Sequence, residues 1–135
     1  MSTVTELVDI RELKDDKRIA EVALKAFFKI AEGWGLTRTQ QAKVLGSGES
    51  TIFKWKQTPP TRLSPDTVER ISYILGIYKA LQILFPEPKR ANQWVRKPNQ
   101  APLFNGQSAL ERMLSGNVSD LYEVRRYLDG QRGVW

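Results

Sequence analysis

Eight polar side chains between residues 38 and 62 have the length and the hydrogen-bonding groups needed to contact a nucleic acid. Cationic groups can pair with backbone phosphates, whereas ammonium, hydroxyl and carboxylate groups can also bond to base edges in a groove. Arg38 is the expected phosphate contact, while Lys54 and Glu49 are candidates for contact with bases. The full set of candidates for DNA binding is Arg38, Lys43, Glu49, Ser50, Thr51, Lys54, Lys56 and Arg62.

The local sequence predicts that two short helices joined by a tight turn position these side chains. Thr37 followed by Gln40 is a capping-box pattern, in which each side chain bonds the other residue's backbone N–H at a helix start. Gly46 readily adopts the left-handed conformation that ends a helix. The short link through Gly48 then allows a second helix to begin near Glu49.

Apolar residues of this segment fall where the two helices would cross. Ala42, Leu45, Ile52 and Trp55 are expected at the crossing point, which leaves the other face polar. A plain helical hairpin has the same outline, whereas a second helix lying in a major groove would turn the polar face to DNA. The charge favours DNA, because residues 34–63 hold five basic residues and one acidic residue in a chain of net charge +6.

The composition argues against catalysis. The chain has no His and no Cys, so Ser-His-Asp and Cys-His arrangements cannot form, and zinc would find only carboxylates. The 9 glycines are dispersed and make no phosphate-binding loop. We therefore expect no enzymatic activity, no catalytic residues, no metal site and no cofactor.

Length and apolar content predict a globular protein. With 135 residues, 41% of them hydrophobic, the chain can bury a core as one domain or as two small domains that share it. It has neither an apolar run of about 20 residues nor a signal-like N-terminus. A soluble, cytoplasmic protein with no membrane partner is expected.

Apolar periodicity predicts helices along the rest of the chain. A Phe-rich stripe begins after Lys17, and Ser64 followed by Pro65 starts a long helix that Pro86 stops. That helix is apolar on two sides, so it would bridge two layers and offer a dimer surface. Shorter helices are expected over residues 89–96, from Ser108 to Gly116 and from Ser119 to Gly130.

The helix-turn-helix segment resembles the Xre/Cro family of DNA-binding regulators. The resemblance rests on Leu-Thr-x-x-Gln-x-Ala-x-x-Leu-Gly over residues 36–46 and on Thr-Ile-x-x-Trp over residues 51–55. Two features depart from the family pattern. Gln41 stands where an apolar residue is usual, and Ser47 with Gly48 replaces the usual apolar-Ser turn, so the second helix lacks a Ser cap.

The C-terminal half resembles the Xre/MbcA/ParS family of antitoxins, with Ala109 where that family commonly has Pro. The motifs that carry the resemblance lie at residues 78–81, 94–99, 104–116 and 124–133. In that family the C-terminal domain binds a toxin, typically a RES-domain enzyme that consumes NAD. In antitoxins of that family, the C-terminal segment lies at the entrance of the toxin's active site, and the resemblance implies the same arrangement for residues 131–135.

The resemblance implies an antitoxin that neutralises a RES-domain, NAD-degrading toxin by direct binding and represses its own operon at operator DNA. A homodimer is expected, with a higher-order complex when the toxin binds. The implied toxin contacts are Trp94, Asn99, Arg126, Arg132, Gly133, Val134 and Trp135.

Other interpretations remain open from the sequence. The protein could be a stand-alone Xre-family regulator whose C-terminal domain dimerises or senses a ligand, or an interaction module that never contacts DNA. Trp135 could pack on the protein's own core as readily as on a partner.

The predicted fold class is all-α, with an Xre/Cro-like helix-turn-helix bundle joined by a long helix to a small helical domain. The predicted divisions are a flexible N-terminal arm (1–16), a helix-turn-helix DNA-binding domain (17–63), a bridging and dimerisation helix (64–88) and a C-terminal toxin-binding domain (89–135).

Overall fold

The computed structural model describes residues 16–133, which contain seven α-helices joined by turns and loops. They are α1 Asp16–Trp34, α2 Arg38–Leu45, α3 Glu49–Gln57, α4 Pro65–Leu84, α5 Pro88–Trp94, α6 Ala109–Met113 and α7 Val118–Gln131. These residues contain no β-strand, only a bridge between Pro98 and Ser108. The predicted all-α fold is confirmed. Residues 1–15 of the predicted arm, and Val134 and Trp135, lie outside the described residues.

Side-chain caps begin three of the helices, as the sequence predicted. At α2 the Thr37 hydroxyl accepts a hydrogen bond from the Gln40 N–H at 3.1 Å, and the Gln40 side chain accepts from the Thr37 N–H at 3.0 Å. Ser108 caps α6 in the same reciprocal way with Glu111. Ser64 accepts from Thr67 at the start of α4, with Pro in the first turn. Each cap satisfies a backbone N–H that the helix itself leaves unpaired.

Some helix ends differ from the prediction by one to three residues. α1 begins one residue early, at Asp16. α7 begins at Val118 instead of Ser119, because the Asp120 N–H already bonds the carbonyl of Asn117 at 3.1 Å, and it ends one residue late. α5 and α6 are shorter than predicted, because tight turns rather than further helical turns follow them.

The long helix α4 is the centre of the fold. It packs against α1 and α2 of the N-terminal half and against α5 and α7 of the C-terminal half. Ile71, Ile74, Ile77 and Leu81 are all fully buried in one cluster that includes residues of both halves of the chain. Much of the apolar surface of α4 is therefore covered within one chain, whereas Ile83 near its C-terminal end is 47% exposed.

Arginine side chains tie the two halves together at helix ends. Arg96, just after α5, donates to the carbonyl oxygens of Trp34 and Gly35 at 2.9 and 2.6 Å. Arg70 of α4 donates to the carbonyl oxygens of Val44 and Gly116. Because helix C-termini carry unpaired carbonyl groups and partial negative charge, these guanidinium groups satisfy them and fix the helices against one another.

Within residues 16–133, none of the helices combines the length and the apolar character that crossing a membrane requires.

Candidate functional site

One face of α3 is exposed along its whole length. This face consists of Ser50, Phe53, Lys54 and Gln57 and is called the outer stripe of α3. The last three residues lie three, four and seven positions after Ser50, spacings that place side chains on one side of a helix. Ile52, on the inner side, is fully buried against the core. The outer stripe is thus held on a helix whose opposite side is anchored.

Two contacts join the outer side of α3 to the start of α2. The Thr39 hydroxyl donates to the Glu49 carboxylate at 3.0 Å. The guanidinium carbon of Arg38 lies 4.7 Å from the centre of the Phe53 ring, a cation–π contact. Glu49 also lies in the first turn of α3, where a negative charge complements the helix dipole. Glu49 therefore links α3 to α2, in addition to its predicted role as a base contact.

The other predicted DNA-binding residues occupy different environments. Lys43 and Lys54 are exposed and have no ion pair with any described residue. Lys56 lies over the Phe28 ring at 5.4 Å. Arg62 forms an exposed ion pair with Asp16 at 3.4 Å. Thr51 is half-buried at the edge of the outer stripe, next to Ser50 and three residues before Lys54, a spacing that makes Thr51 and Lys54 neighbours on the helix surface.

The two departures from the family pattern lie in α2 and in the turn that follows it. Gln41 is buried like the apolar residue it replaces, and its side-chain amide donates to the carbonyl of Leu36 at 3.0 Å. Gly46 ends α2 with φ of 65°, the left-handed conformation predicted for it. Gly48 occupies the capping position of α3 and provides no side-chain hydrogen bond. Helix α3 therefore starts without the cap that α2 has.

Three aromatic rings form the centre of the predicted toxin-binding half. Trp94 lies edge-to-face with Phe104 at 5.8 Å and is stacked on Tyr127 at 6.4 Å, and Phe104 and Tyr127 are 5.2 Å apart. Phe104 is buried, whereas the other two rings are half-buried. Trp94 thus has a structural role in this cluster and keeps part of its surface exposed.

Asn99 is engaged inside the protein. Its side-chain oxygen accepts from the Ala101 N–H at 2.9 Å, and its backbone bonds to Gly106 and Gln107. These bonds hold the loop that leads to the bridge at Ser108. The side-chain acceptor of Asn99 is therefore already in use within this loop.

The end of α7 carries the remaining predicted toxin contacts. Arg126 is exposed, and Arg132 pairs with Asp129 at 3.7 Å while its backbone N–H caps the helix. Gly133 is exposed with φ of 78°. A shallow groove of about 280 Å³ lies beside them, lined by Leu103, Glu123, Arg126, Tyr127, Gly130 and Gln131. The structure thus brings Arg126 close to the segment that leads into the C-terminal tail.

A second, larger groove of about 670 Å³ runs beside α4, with Tyr73 and Arg125 in its lining. Burial raises the pKa of Tyr73, and the hydrogen bond from its hydroxyl to Glu69 at 3.0 Å raises the pKa further. Tyr73 also lies edge-to-face with Tyr122 at 5.7 Å, which joins α4 to α7. The phenol stays neutral near pH 7 and adds no charge to this surface.

Sequence reasoning missed several residues of these sites. Phe53 and Gln57 could have been found from the spacing of the outer stripe, which the helix start near Glu49 defines. No local pattern indicated the long-range contacts of Thr39, Arg70 and Arg96, whose partners in these contacts lie between 10 and 62 residues away in the chain.

The described residues thus form a helix-turn-helix half and a second helical half that share one core. Residues 16–76 match the family model described as the antitoxin Xre-like helix-turn-helix domain. Residues 80–133 match the antitoxin Xre/MbcA/ParS C-terminal toxin-binding domain. The chain therefore belongs to the Xre/MbcA/ParS family of antitoxins, as its motifs suggested.

A relative of nearly the same length has also been found in Sinorhizobium fredii strain NBRC 101917 / NGR234. It is the uncharacterized protein y4oB, 50% identical over 131 residues, which cover 96% of this chain and 99% of y4oB. The similarity extends across both halves. By family, the protein is an antitoxin of a toxin–antitoxin system, a non-enzymatic regulator with a helix-turn-helix domain and a toxin-binding domain.

Proposed function

We propose that this antitoxin represses its own operon by binding operator DNA and neutralises a RES-domain, NAD-degrading toxin by direct contact. The observation that carries the DNA-binding part is the outer stripe of α3. It is exposed, it contains Lys54 with no ion-pair partner among the described residues, and it lies beside Arg38. A helix that is anchored on one side and exposes three polar side chains and one aromatic ring on the other fits a major groove, with nearby cations on the phosphates.

The toxin-neutralising part rests on the C-terminal half. The motifs there resemble those of antitoxins whose partners are RES-domain toxins, and the groove at Arg126 and Tyr127 lies next to the start of the C-terminal tail. A half-buried aromatic cluster flanked by an arginine is a composition favoured at binding hot spots. Neutralisation would then need no chemistry from the antitoxin, only the exclusion of NAD from the toxin's active site.

The proposal includes a homodimer. Operators are most often read as two half-sites by a two-fold symmetric pair of helix-turn-helix domains. Analytical ultracentrifugation of the full chain at micromolar concentration, without toxin or DNA, measures this directly. A monomer under these conditions, and also on the operator duplex, would contradict the dimer.

Binding to the protein's own upstream region tests the repressor activity. The full chain is titrated into a labelled duplex from that region at two salt concentrations, with a duplex of scrambled sequence as the control. Preferential binding to the upstream duplex, weakened by salt, is the expected result. Equal binding to both duplexes would overturn the repressor proposal.

NAD consumption tests the toxin partner. The protein encoded beside this antitoxin is purified and assayed for NAD loss, alone and with equimolar antitoxin. We expect NAD loss that the antitoxin suppresses. A neighbouring protein that consumes no NAD, or one that the antitoxin does not inhibit, would contradict the RES-toxin proposal and favour a stand-alone regulator.

A further inference from the structure

Phe53 is the one aromatic residue on the outer stripe of α3 within the described chain, and 46% of it is exposed. The other three members of the stripe, Ser50, Lys54 and Gln57, are polar. The core beneath the helix is already filled by Ile52. An exposed aromatic ring among polar neighbours leaves apolar surface in water, which is unfavourable until something covers it.

The contact with Arg38 fixes the ring while leaving it accessible. The guanidinium carbon of Arg38 lies 4.7 Å from the ring centre, and Arg38 is the first residue of α2. A ring held in place by a neighbouring helix loses little conformational entropy when it meets a partner. Phe53 is thus prearranged for contact on the face where we propose that DNA binds.

The charges around Phe53 identify the kind of partner. Arg38, Lys43 and Lys54 are all exposed on α2 and α3, and Glu49 is the only acidic residue on these two helices. Such a surface matches a polyanion better than it matches the basic surface of a second copy. In a major groove, the apolar group that a base edge presents is the C5 methyl of thymine.

We infer that Phe53 is a specificity-determining residue, which recognises thymine in the operator by covering its methyl group. This inference rests on the proposed DNA binding and names thymine as the base that the outer stripe of α3 recognises. In this arrangement Phe53 makes the apolar contact with the methyl group, while Arg38 holds the ring and can reach a phosphate. Lys54 lies next to Phe53 in the chain, where it can make a polar contact with a base.

Replacing single thymines by uracil tests the inference, because uracil differs only by the missing methyl group. A duplex is first selected from a randomised pool with the full-length protein, and each thymine is then replaced in turn by deoxyuridine. We expect a loss of affinity of about three- to fivefold at one or two positions, the effect of exposing one methyl group. Phe53→Ala should bind the thymine duplex more weakly and bind the thymine and uracil duplexes equally.

Two further variants separate a lost contact from general damage. Phe53→Leu keeps an apolar side chain and should retain part of the preference for thymine. Lys54→Ala should bind more weakly yet keep the full ratio of thymine to uracil affinity. Because Phe53 is on the surface, circular dichroism and thermal melting should match the unaltered protein for the variants at this position.

The outcomes that would overturn the inference are distinct from failure of DNA binding. Equal binding of thymine and uracil duplexes by the unaltered protein, or an unchanged ratio for Phe53→Ala, would refute the role of Phe53. A change of dimerisation in Phe53→Ala with no change in base preference would assign the ring to a second copy instead. A pool that yields no enriched duplex would overturn the proposed DNA binding itself.

Discussion

Arg70 of α4 donates a hydrogen bond from Nη1 to the carbonyl oxygen of Gly116, 2.9 Å away, at the turn before α7. The same nitrogen lies 3.4 Å from the carbonyl oxygen of Val44 near the end of α2. The side chain is only 12% exposed and also pairs with Asp66 at 2.8 Å. One guanidinium group therefore joins the helix-turn-helix, the central helix and the toxin-binding half.

Replacing Arg70 should destabilise the whole chain. Arg70→Met keeps much of the packing volume but removes every donor, so two carbonyl groups at element ends lose a charged partner. We expect the free energy of unfolding to fall by about 2–3 kcal/mol, since hydrogen bonds to charged groups are stronger than neutral ones. Urea denaturation measures this change.

Asp66→Asn is the matched control for Arg70. It removes the exposed acidic partner, whose side chain is 55% exposed, and leaves the carbonyl contacts in place. A loss below about 1 kcal/mol is expected, because exposed ion pairs contribute little. Equal losses for the two variants would mean that the carbonyl contacts of Arg70 contribute nothing measurable.

Two glycines of the turn should respond oppositely to substitution. Gly48 has φ and ψ of −78° and 159°, close to the −83° and 159° of the Ser108 cap, and a Cβ there would meet nothing within 4 Å. Gly48→Ser should therefore stabilise by a few tenths of a kcal/mol, up to about 1 kcal/mol.

Gly46→Ala is the opposing case in the same turn. Gly46 has φ of 65°, and an added Cβ would lie 2.8 Å from the guanidinium carbon of Arg70. A loss of roughly 1–2 kcal/mol is expected from backbone strain and from displacement of Arg70. Thermal unfolding of both variants provides the comparison, and a stabilising Gly46→Ala would show that the turn is not strained in this way.

Cations near α3 should affect operator binding in different ways. Arg38→Ala should weaken binding to all sequences and lower the salt slope by about one, as expected for a phosphate contact, and should in addition weaken the thymine preference, since Arg38 also holds the Phe53 ring. Lys54→Ala should cost ~1–3 kcal/mol on the operator and relax specificity only at the base that Lys54 contacts. Fluorescence titrations of operator and scrambled duplexes at several salt concentrations separate the two effects. Unchanged operator affinity in both variants at physiological salt would contradict this docking of α3.

Removal of the last three residues should weaken toxin inhibition. α7 ends at Gln131 and the N–H of Arg132 caps it, so deletion of residues 133–135 leaves the helix intact. We expect inhibition of NAD loss to weaken by about tenfold or more, with unchanged melting temperature and operator binding. If the shortened antitoxin inhibits fully, the inhibitory contact lies on the body of the C-terminal half, where Arg126→Glu is the next variant to measure.

The sequence alone determined most helix starts and the fold class. Three helices begin after a capping residue, namely Thr37, Ser64 or Ser108. Each cap bonds a backbone N–H three residues later, so the contact that starts the helix can be read from neighbouring residues. The long apolar pattern of α4 likewise revealed that both its sides are buried. Family motifs in each half also indicated the two domains.

Only the tertiary structure decided what meets the two sides of α4 and which residues join at the candidate sites. The apolar pattern of α4 does not say which helices cover it, and the packing of α1, α2, α5 and α7 answers this within one chain. The pairs Arg38 with Phe53 and Arg70 with Gly116 are 15 and 46 residues apart. Such contacts follow from helix packing and not from local propensity, so the sequence left them undetermined.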